Sequence, residues 1–446
     1  LRRGLCYILS FILSVGQVPL YAASEVVVDQ AAASANQARL DKAHNDVTIV
    51  NISGNLSSAG VSHNKFTKFD IGTEGVVLNN STEFGMSVLA AGALYNNPLL
   101  SQGSAKVIIT EVTGGSASNL LGYTEVFGDQ ADYIFANPKG ISCNGCGFIN
   151  VDRLSMVTGS SDSVNGELAG FNIGGGTLSI GSGGLDASGT SAAELVTNIA
   201  DITGNIIAGS ELNIKTGNKY YDYKTGNITS DQTTDSNPKT PEGGALFGVD
   251  ASEFGSMYAG KIQIIATEAG FGVRSAANMV SSVSDLIITA NGDIVYKNIV
   301  AEQDVILASS QNIEQLGQTY SKGAVSLAAQ NDIKLSGDYL YGAEVNISAV
   351  NDVAIESGIY GFENADISGN NINISEDGEV ISRQDSVGHL SLTAINDITN
   401  KGIIASVSTL NIAGSKVVNE NNLSSSGTLD VGAQDLVNSG VINSDG

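Results

Sequence analysis

The nonapeptides "VSLAAQNDI" (residues 325–333) and "VNISAVNDV" (residues 345–353) are one pattern written twice. Apolar residues occupy alternate positions, an Asn-Asp pair interrupts them, and an apolar residue resumes the pattern. Successive side chains of a β-strand point to opposite faces, so this reads as a strand with one buried face that runs into a polar corner. Similar stretches begin at Leu286, Val305, Ala365, Leu390, Leu410 and Leu429. In chain order the eight starts lie 19, 20, 20, 20, 25, 20 and 19 residues apart. A near-constant period of about twenty residues marks a solenoid, and a unit of strand, turn and strand makes it a parallel β-helix. One coil cannot bury its inward face alone, whereas coils stacked about 4.8 Å apart share a continuous core. Val, Ile, Leu and Ala are expected inward, Ser, Thr, Asn, Lys and Glu outward. The pairs Asn331-Asp332, Asn351-Asp352 and Asn396-Asp397 are expected at corners, because Asn and Asp tolerate left-handed φ and bond to nearby backbone N–H groups. The G-G-x-G-x-D repeat of calcium β-rolls is absent, so these acidic turns read as structural.

Composition extends the β reading to the whole chain. Of 446 residues, 53 are Gly and only 5 are Pro, Trp is absent, and long helix-forming runs of Ala, Leu, Glu and Lys hardly occur. Residues 1–23 read as a signal peptide, with Arg2 and Arg3 before the apolar run Leu5 to Val15 and small residues at Ala22, Ala23 and Ser24. Its removal leaves 21 − 2 = 19 basic against 46 acidic residues, a net charge near −27. Such a surface is a poor partner for nucleic acid or anionic lipid, and it keeps a long unfolded β-rich chain soluble.

The head has a different texture from the tail. "GVSHNKFTKFDIGTEGVVLNNS" (residues 60–81), a long stretch from Ala91 to Gly159, "GGLDASGT" (residues 183–190) and a closing segment that ends near Met279 follow in order. Within them stand two Asn-Pro turns, Asn97-Pro98-Leu99-Leu100 and Asn137-Pro138-Lys139-Gly140-Ile141. Proline fixes its own φ and moves the preceding Asn out of the helical region, and Gly140 can take the positive φ that closes the second turn.

These motifs resemble, in kind and order, the N-terminal secretion domain of filamentous haemagglutinin-type two-partner secretion exoproteins, a group that includes haemolysins and contact-dependent inhibition toxins. The tail resembles the haemagglutinin repeats that follow that domain. The resemblance implies an all-β chain: a right-handed parallel β-helix with an N-terminal β cap and extra-helical β elements. It implies a secretion domain over residues 24–280 and β-helical repeats over 281–446. It also implies export through the periplasm to the cell surface or medium, by way of the periplasmic domains of an outer-membrane β-barrel transporter. A host or bacterial cell-surface receptor is a further expected partner, and no nucleic acid is. The family's N-P-N-L and N-P-N-G-I motifs depart here at their third positions, where Leu99 and Lys139 stand. The residues expected to serve transporter recognition are Asn97, Pro98, Asn137, Pro138, Lys139, Gly140 and Ile141, either by contact or by shaping the first coils.

Cys143-Asn144-Gly145-Cys146 follows the second turn directly. A zinc site lacks a second Cys pair, and the three histidines, His44, His63 and His389, are scattered. A thioredoxin-like pair needs a strand-to-helix setting, but "GFINVDRLSMVTG" reads as strand. A disulfide between Cys143 and Cys146 is the expectation for an exported chain, closing a loop too short to remove much entropy from the unfolded state.

Parallel β-helices also carry polysaccharide-degrading enzymes, which need converging carboxylates. Here the acidic residues are dispersed, Arg153, Arg274 and Arg383 share no motif, and no G-x-S-x-G, H-E-x-x-H or phosphate loop occurs. The expectation is a non-enzyme without cofactor or metal, and two readings remain: an adhesin, or the N-terminal part of a contact-dependent inhibition toxin or haemolysin. Because the repeats continue to Gly446, a truncated family member is expected.

Overall fold

The structure, a computed structural model, describes residues 23–164, 166–230, 246–383 and 388–445. The signal-peptide reading falls almost wholly outside the described residues. The described chain is nearly all strand, and its only helical piece is the single 3-10 turn Ser34–Asn36.

Strands stack in parallel along three faces of one solenoid. The first sheet runs from Thr48–Asn51 through Val76–Asn80, Tyr123–Gly128 and Cys146–Ile149 to Val441–Ser444. The second starts at Val61–Asp70, continues through Val107–Val112 and Ala131–Ala136, and ends in Thr428–Asn438. The third begins with Ser118–Leu120 and Ile141–Cys143 and reaches the later half of Thr428–Asn438. Their inward Val, Ile, Leu, Phe and Ala side chains form one continuous core from Val28 to Leu423.

The register of the tail is the one the repeat starts define. Leu286 pairs with Val305, Val305 with Val325, Val325 with Val345 and Val345 with Ala365. Ala365 then pairs with Leu390, Leu390 with Leu410 and Leu410 with Leu429. Across the 25-residue step the ladder is unbroken, since Ala365 pairs directly with Leu390 and Val380 with Ile404.

The corners meet one half of the expectation, the side-chain bonds to backbone N–H groups, and not the left-handed φ. Asn331, Asp332, Asn351, Asp352, Asn396 and Asp397 do not have positive φ; among the described non-glycine residues only Asp46, Ala91 and Asn150 do. The side chains of Asp332, Asp352 and Asn396 instead bridge neighbouring coils. Asp332 N–H donates to Asn312 Oδ1 (3.1 Å), Asp352 N–H to Asp332 Oδ1 (3.1 Å), and Asn371 N–H to Asp352 Oδ1 (3.2 Å). A carboxylate or amide oxygen at the same place in each coil thus pairs a backbone donor of the next, which a strand end would otherwise leave open.

The two ends differ. At the front, Glu25–Val28 pairs antiparallel with Val61–Asp70, and Arg39–Lys42 with Thr48–Asn51, so antiparallel strands cover the open edge of the first coil. At the back, Leu429, Val431 and Leu436 continue the core rows opposite Leu410, Ile412 and Val417. The apolar pattern of Leu429, Val431 and Leu436 predicts Val441 in the same register, but Val441 lies opposite Asn422, and Ile442 takes the core row opposite Leu423. Inward and outward positions are set afresh after each corner, and a shift of one residue exchanges the faces.

Two extra-helical elements sit on the outside of the early coils. A four-stranded antiparallel sheet of Gly159–Val164, Glu167–Ile173, Tyr220–Asp222 and Ile228–Thr229 covers part of the second sheet. Its Leu168, Phe171 and Tyr221 pack on the outward Ile109, Ile134 and Val157. A hairpin of Gly85–Ser87 and Gly92–Leu94 lies over the first sheet, with Ala90 and Leu94 against Ile49, Val77 and Phe127.

Candidate functional site

Asn97 follows the hairpin and is 1% exposed. Its side-chain N–H groups donate to the carbonyls of Ile52 and Asn79, both at 2.9 Å, and its Oδ1 accepts the Leu99 N–H at 2.9 Å. Leu100 N–H closes the turn on the Asn97 carbonyl (3.2 Å). The amide therefore ties the first coil, the second coil and the turn together.

Asn137, wholly buried, does the same where the second sheet turns into the third. It donates to Ser116 O (3.1 Å) and Ser118 Oγ (2.9 Å) and accepts Lys139 N–H (2.9 Å). Gly140 has φ +118°, a conformation side chains disfavour, and its N–H donates to Asn137 O (3.1 Å). Ile141 is a core residue. Of the seven residues expected to serve recognition, Pro98 and Lys139 are exposed and Pro138 is half-buried. Asn97, Asn137, Gly140 and Ile141 are buried. The two turns also occupy different corners of the solenoid, so the structure does not join them into one patch.

Cys143 and Cys146 are linked by a disulfide, with Cα atoms 5.3 Å apart, and both face the core. The bond spans the next corner, where Gly145 has φ +88° and its N–H donates to Gly184 O (2.9 Å).

The four-stranded sheet is held at two buried carboxylates. Glu111 accepts from Ser161 N–H (3.1 Å) and Oγ (2.8 Å), while His63 Nε2 lies at 2.7 Å and Lys65 Nζ at 3.4 Å. Burial pushes the Glu111 carboxyl up, but the bond and charge of His63, the Ser161 hydroxyl and Lys65 outweigh it and hold the group at about 2. Further along, Glu194 takes Lys215 Nζ (3.0 Å), Arg153 (3.4 Å) and the Tyr221 hydroxyl (2.9 Å). Arg274 grips Asp250 and lies over the Phe247 ring, and Arg383 lies over Tyr360. Each arginine is engaged on its own stretch of surface and the three do not converge. Among the described residues, no group of three or more His, Cys, Asp and Glu side chains is arranged to hold a metal ion.

The location of the hairpin and of the four-stranded sheet was not legible in the sequence. The one available signal was apolar residues at outward positions of early strands, Ile109 and Ile134 among them, which ask for a cover.

A capped β-solenoid with Asn-Pro corners in its first coils and β elements laid over them is the architecture of an exoprotein secretion module. The chain belongs to the two-partner secretion (TPS) family: the family model described as the TPS secretion domain matches residues 24–296. Toxin CdiA of Yersinia pestis is 36% identical over 313 residues, 70% of this chain and 9% of the relative. Filamentous hemagglutinin of Bordetella pertussis is 33% identical over 290 residues, 64% of this chain and 8% of the relative. The chain thus spans less than a tenth of either protein. The crystal structure of the filamentous hemagglutinin secretion domain superposes with a TM-score of 0.58 at 29% identity, covering 73% of this chain and 99% of that one.

Proposed function

We propose that residues 24–280 direct export of the chain through the outer membrane by engaging the periplasmic domains of a β-barrel transporter, and that residues 281–446 are the β-helical repeats that follow. The observation that carries this reading is the match of residues 24–296 to a secretion domain. The division near residue 280 is drawn where the twenty-residue period starts. The chain then reaches the medium or the bacterial surface by way of the periplasm. Once the first coil is capped, its open second edge is a template on which each emerging coil adds its strands, so folding outside the cell proceeds one coil at a time.

The Asn-Pro turns act here through the fold. Asn97 and Asn137 fasten the corners of the early coils from inside, and Pro98, Pro138 and Lys139 are what those corners present outward. The displayed protein is an adhesin or the leading part of a contact-dependent inhibition toxin. Nuclease activity stands in the names of some relatives, such as the tRNA nuclease CdiA of Escherichia coli, and the reading assigns no catalysis to this chain. Titrating the mature chain into the purified periplasmic region of its transporter tests the proposal: saturable binding is expected, and no binding would overturn it.

A further inference from the structure

The bridge between Cys143 and Cys146 is closed off by the coils on either side of it. The two residues are 0% and 2% exposed. Cys143 is paired with Leu120 of the preceding coil and with Ile180 of the next, and Cys146 with Leu185. Gly184 O stands 3.3 Å from Cys143 Sγ. The segment that crosses the bridge, Gly181-Ser182-Gly183-Gly184, follows its corner closely. Gly181 N–H donates to Cys143 O (2.7 Å), and Gly183 N–H donates to Asn144 Oδ1 (2.7 Å). A Cβ on Gly181 would meet the Asn144 side chain at 2.8 Å, and one on Gly183 the Gly145 nitrogen at 2.6 Å, so the next coil lies directly on the bridged turn.

Thiol–disulfide exchange needs a thiolate to reach a disulfide sulfur, and its rate depends on that access. The folded coil grants none, because Ile180, Leu185 and the glycine segment occupy the space through which a reagent would come. The unfolded chain has no such obstacle. Only Asn144 and Gly145 separate the two cysteines, so the ring closes without help from the fold. The third cysteine, Cys6, falls in the segment that reads as a signal peptide, so the mature chain has one pair and one way to join it.

We propose that the Cys143–Cys146 bond is made on the unfolded chain in the periplasm, before residues 180–185 stack on it, and that the folded coil neither gains nor loses it. This rests on the export reading above, by which the coils fold outside the cell, and adds a covalent step that precedes folding. One cysteine thiolate attacks a sulfur of a periplasmic disulfide and expels a thiolate, and the second cysteine attacks the mixed disulfide and expels the other. The chain gives up two electrons and two protons, and the oxidant leaves as two thiols. The product is a four-residue ring that already holds the corner between the third and the first sheet when folding begins.

The test uses the purified mature chain, with free thiols counted by a maleimide-linked polymer that shifts the band on a gel. Folded protein in dithiothreitol should lose its bridge at least about a hundredfold more slowly than the same protein in urea, since core segments open rarely. Chain that is reduced and held unfolded should gain the bridge from oxidised glutathione. Reduced chain that is refolded first should stay a dithiol in the same reagent, or else fail to fold until the bridge is made, and either result places the bond before the fold. Oxidation of the refolded dithiol, or reduction of the folded protein, at the unfolded rate would overturn the proposal. In cells without the transporter, the chain held in the periplasm should carry the bridge. Free thiols in that pool, with the bridge appearing only on protein in the medium, would overturn the periplasmic step. Secretion that is independent of the transporter would overturn the export reading alone, because the glutathione and dithiothreitol reactions read the order of bond and fold without it.

Discussion

Replacing Asn97 by alanine separates a corner fastener from a contact residue. The side chain makes three hydrogen bonds, and two of its acceptors belong to Ile52 and Asn79, which are themselves buried. Each of the two buried carbonyls left without its donor costs about 1–3 kcal/mol, and the lost bond to the Leu99 N–H about 1 kcal/mol more, for a total of about 3–7 kcal/mol. Pro98→Ala, on an exposed turn, changes stability by about 1 kcal/mol or less through the unfolded chain. Native-state amide exchange on the mature chain measures the difference. In Asn97→Ala, amides of Val76–Asn80 and Thr48–Asn51 should exchange at least about a hundredfold faster, since each 1.4 kcal/mol is tenfold, while Pro98→Ala stays near wild type. The export defect of Asn97→Ala should follow this loosening. Unchanged exchange together with lost export would refute the reasoning and make the Asn97 side chain a direct contact.

Acid should release the four-stranded sheet before the solenoid. The folded Glu111 carboxyl is held at about 2 against 4.5 for a free one, so its contribution is complete above 4.5 and is lost as pH falls from there through about 2. Exchange of the Gly159–Val164 amides should rise across that window, and Glu111→Gln should flatten the response. For the cysteines, Cys143→Ala/Cys146→Ala should fold and melt moderately lower. Cys143→Ser/Cys146→Ser should be worse by about 2 kcal/mol in denaturant titration, because it buries two hydroxyls in the core. At the back of the solenoid, Leu436 and Ile442 stand 48% and 37% exposed in core rows that are closed elsewhere. Amides of Thr428–Asn438 and Val441–Ser444 should exchange much faster than those of Val325–Ala329, as hydrogen-exchange mass spectrometry would show.

The solenoid was legible because every coil repeats the same physical problem. Inward positions recur at a fixed spacing, so the starts at Leu286, Val305 and Val325 gave the register itself. Corners were less legible. The sequence shows that Asn331-Asp332 belongs to a turn, but whether Asp332 works through its own φ or through a bond to the next coil depends on stacking, which only the assembled coils display. The same limit hid the step that puts Ile442, and not Val441, in the core row. At the site, the Asn-Pro turns were visible as turns. That Asn97 and Asn137 are buried was not, because an Asn at a turn reads as a surface residue until its partners, carbonyls 45 and 21 positions away, are brought beside it. The hairpin was the hardest element to read: its strands are three residues long, and its apolar residues face both inward and outward.

The central claim, that this chain carries an export module read by a dedicated transporter, is tested most directly by secretion itself. Cells that express residues 1–446 are compared with and without the transporter, and the mature protein is quantified in medium and periplasm. The account predicts cleaved protein in the medium or at the cell surface only when the transporter is present, and in the periplasm otherwise. Equal amounts outside the cell in both strains would contradict it.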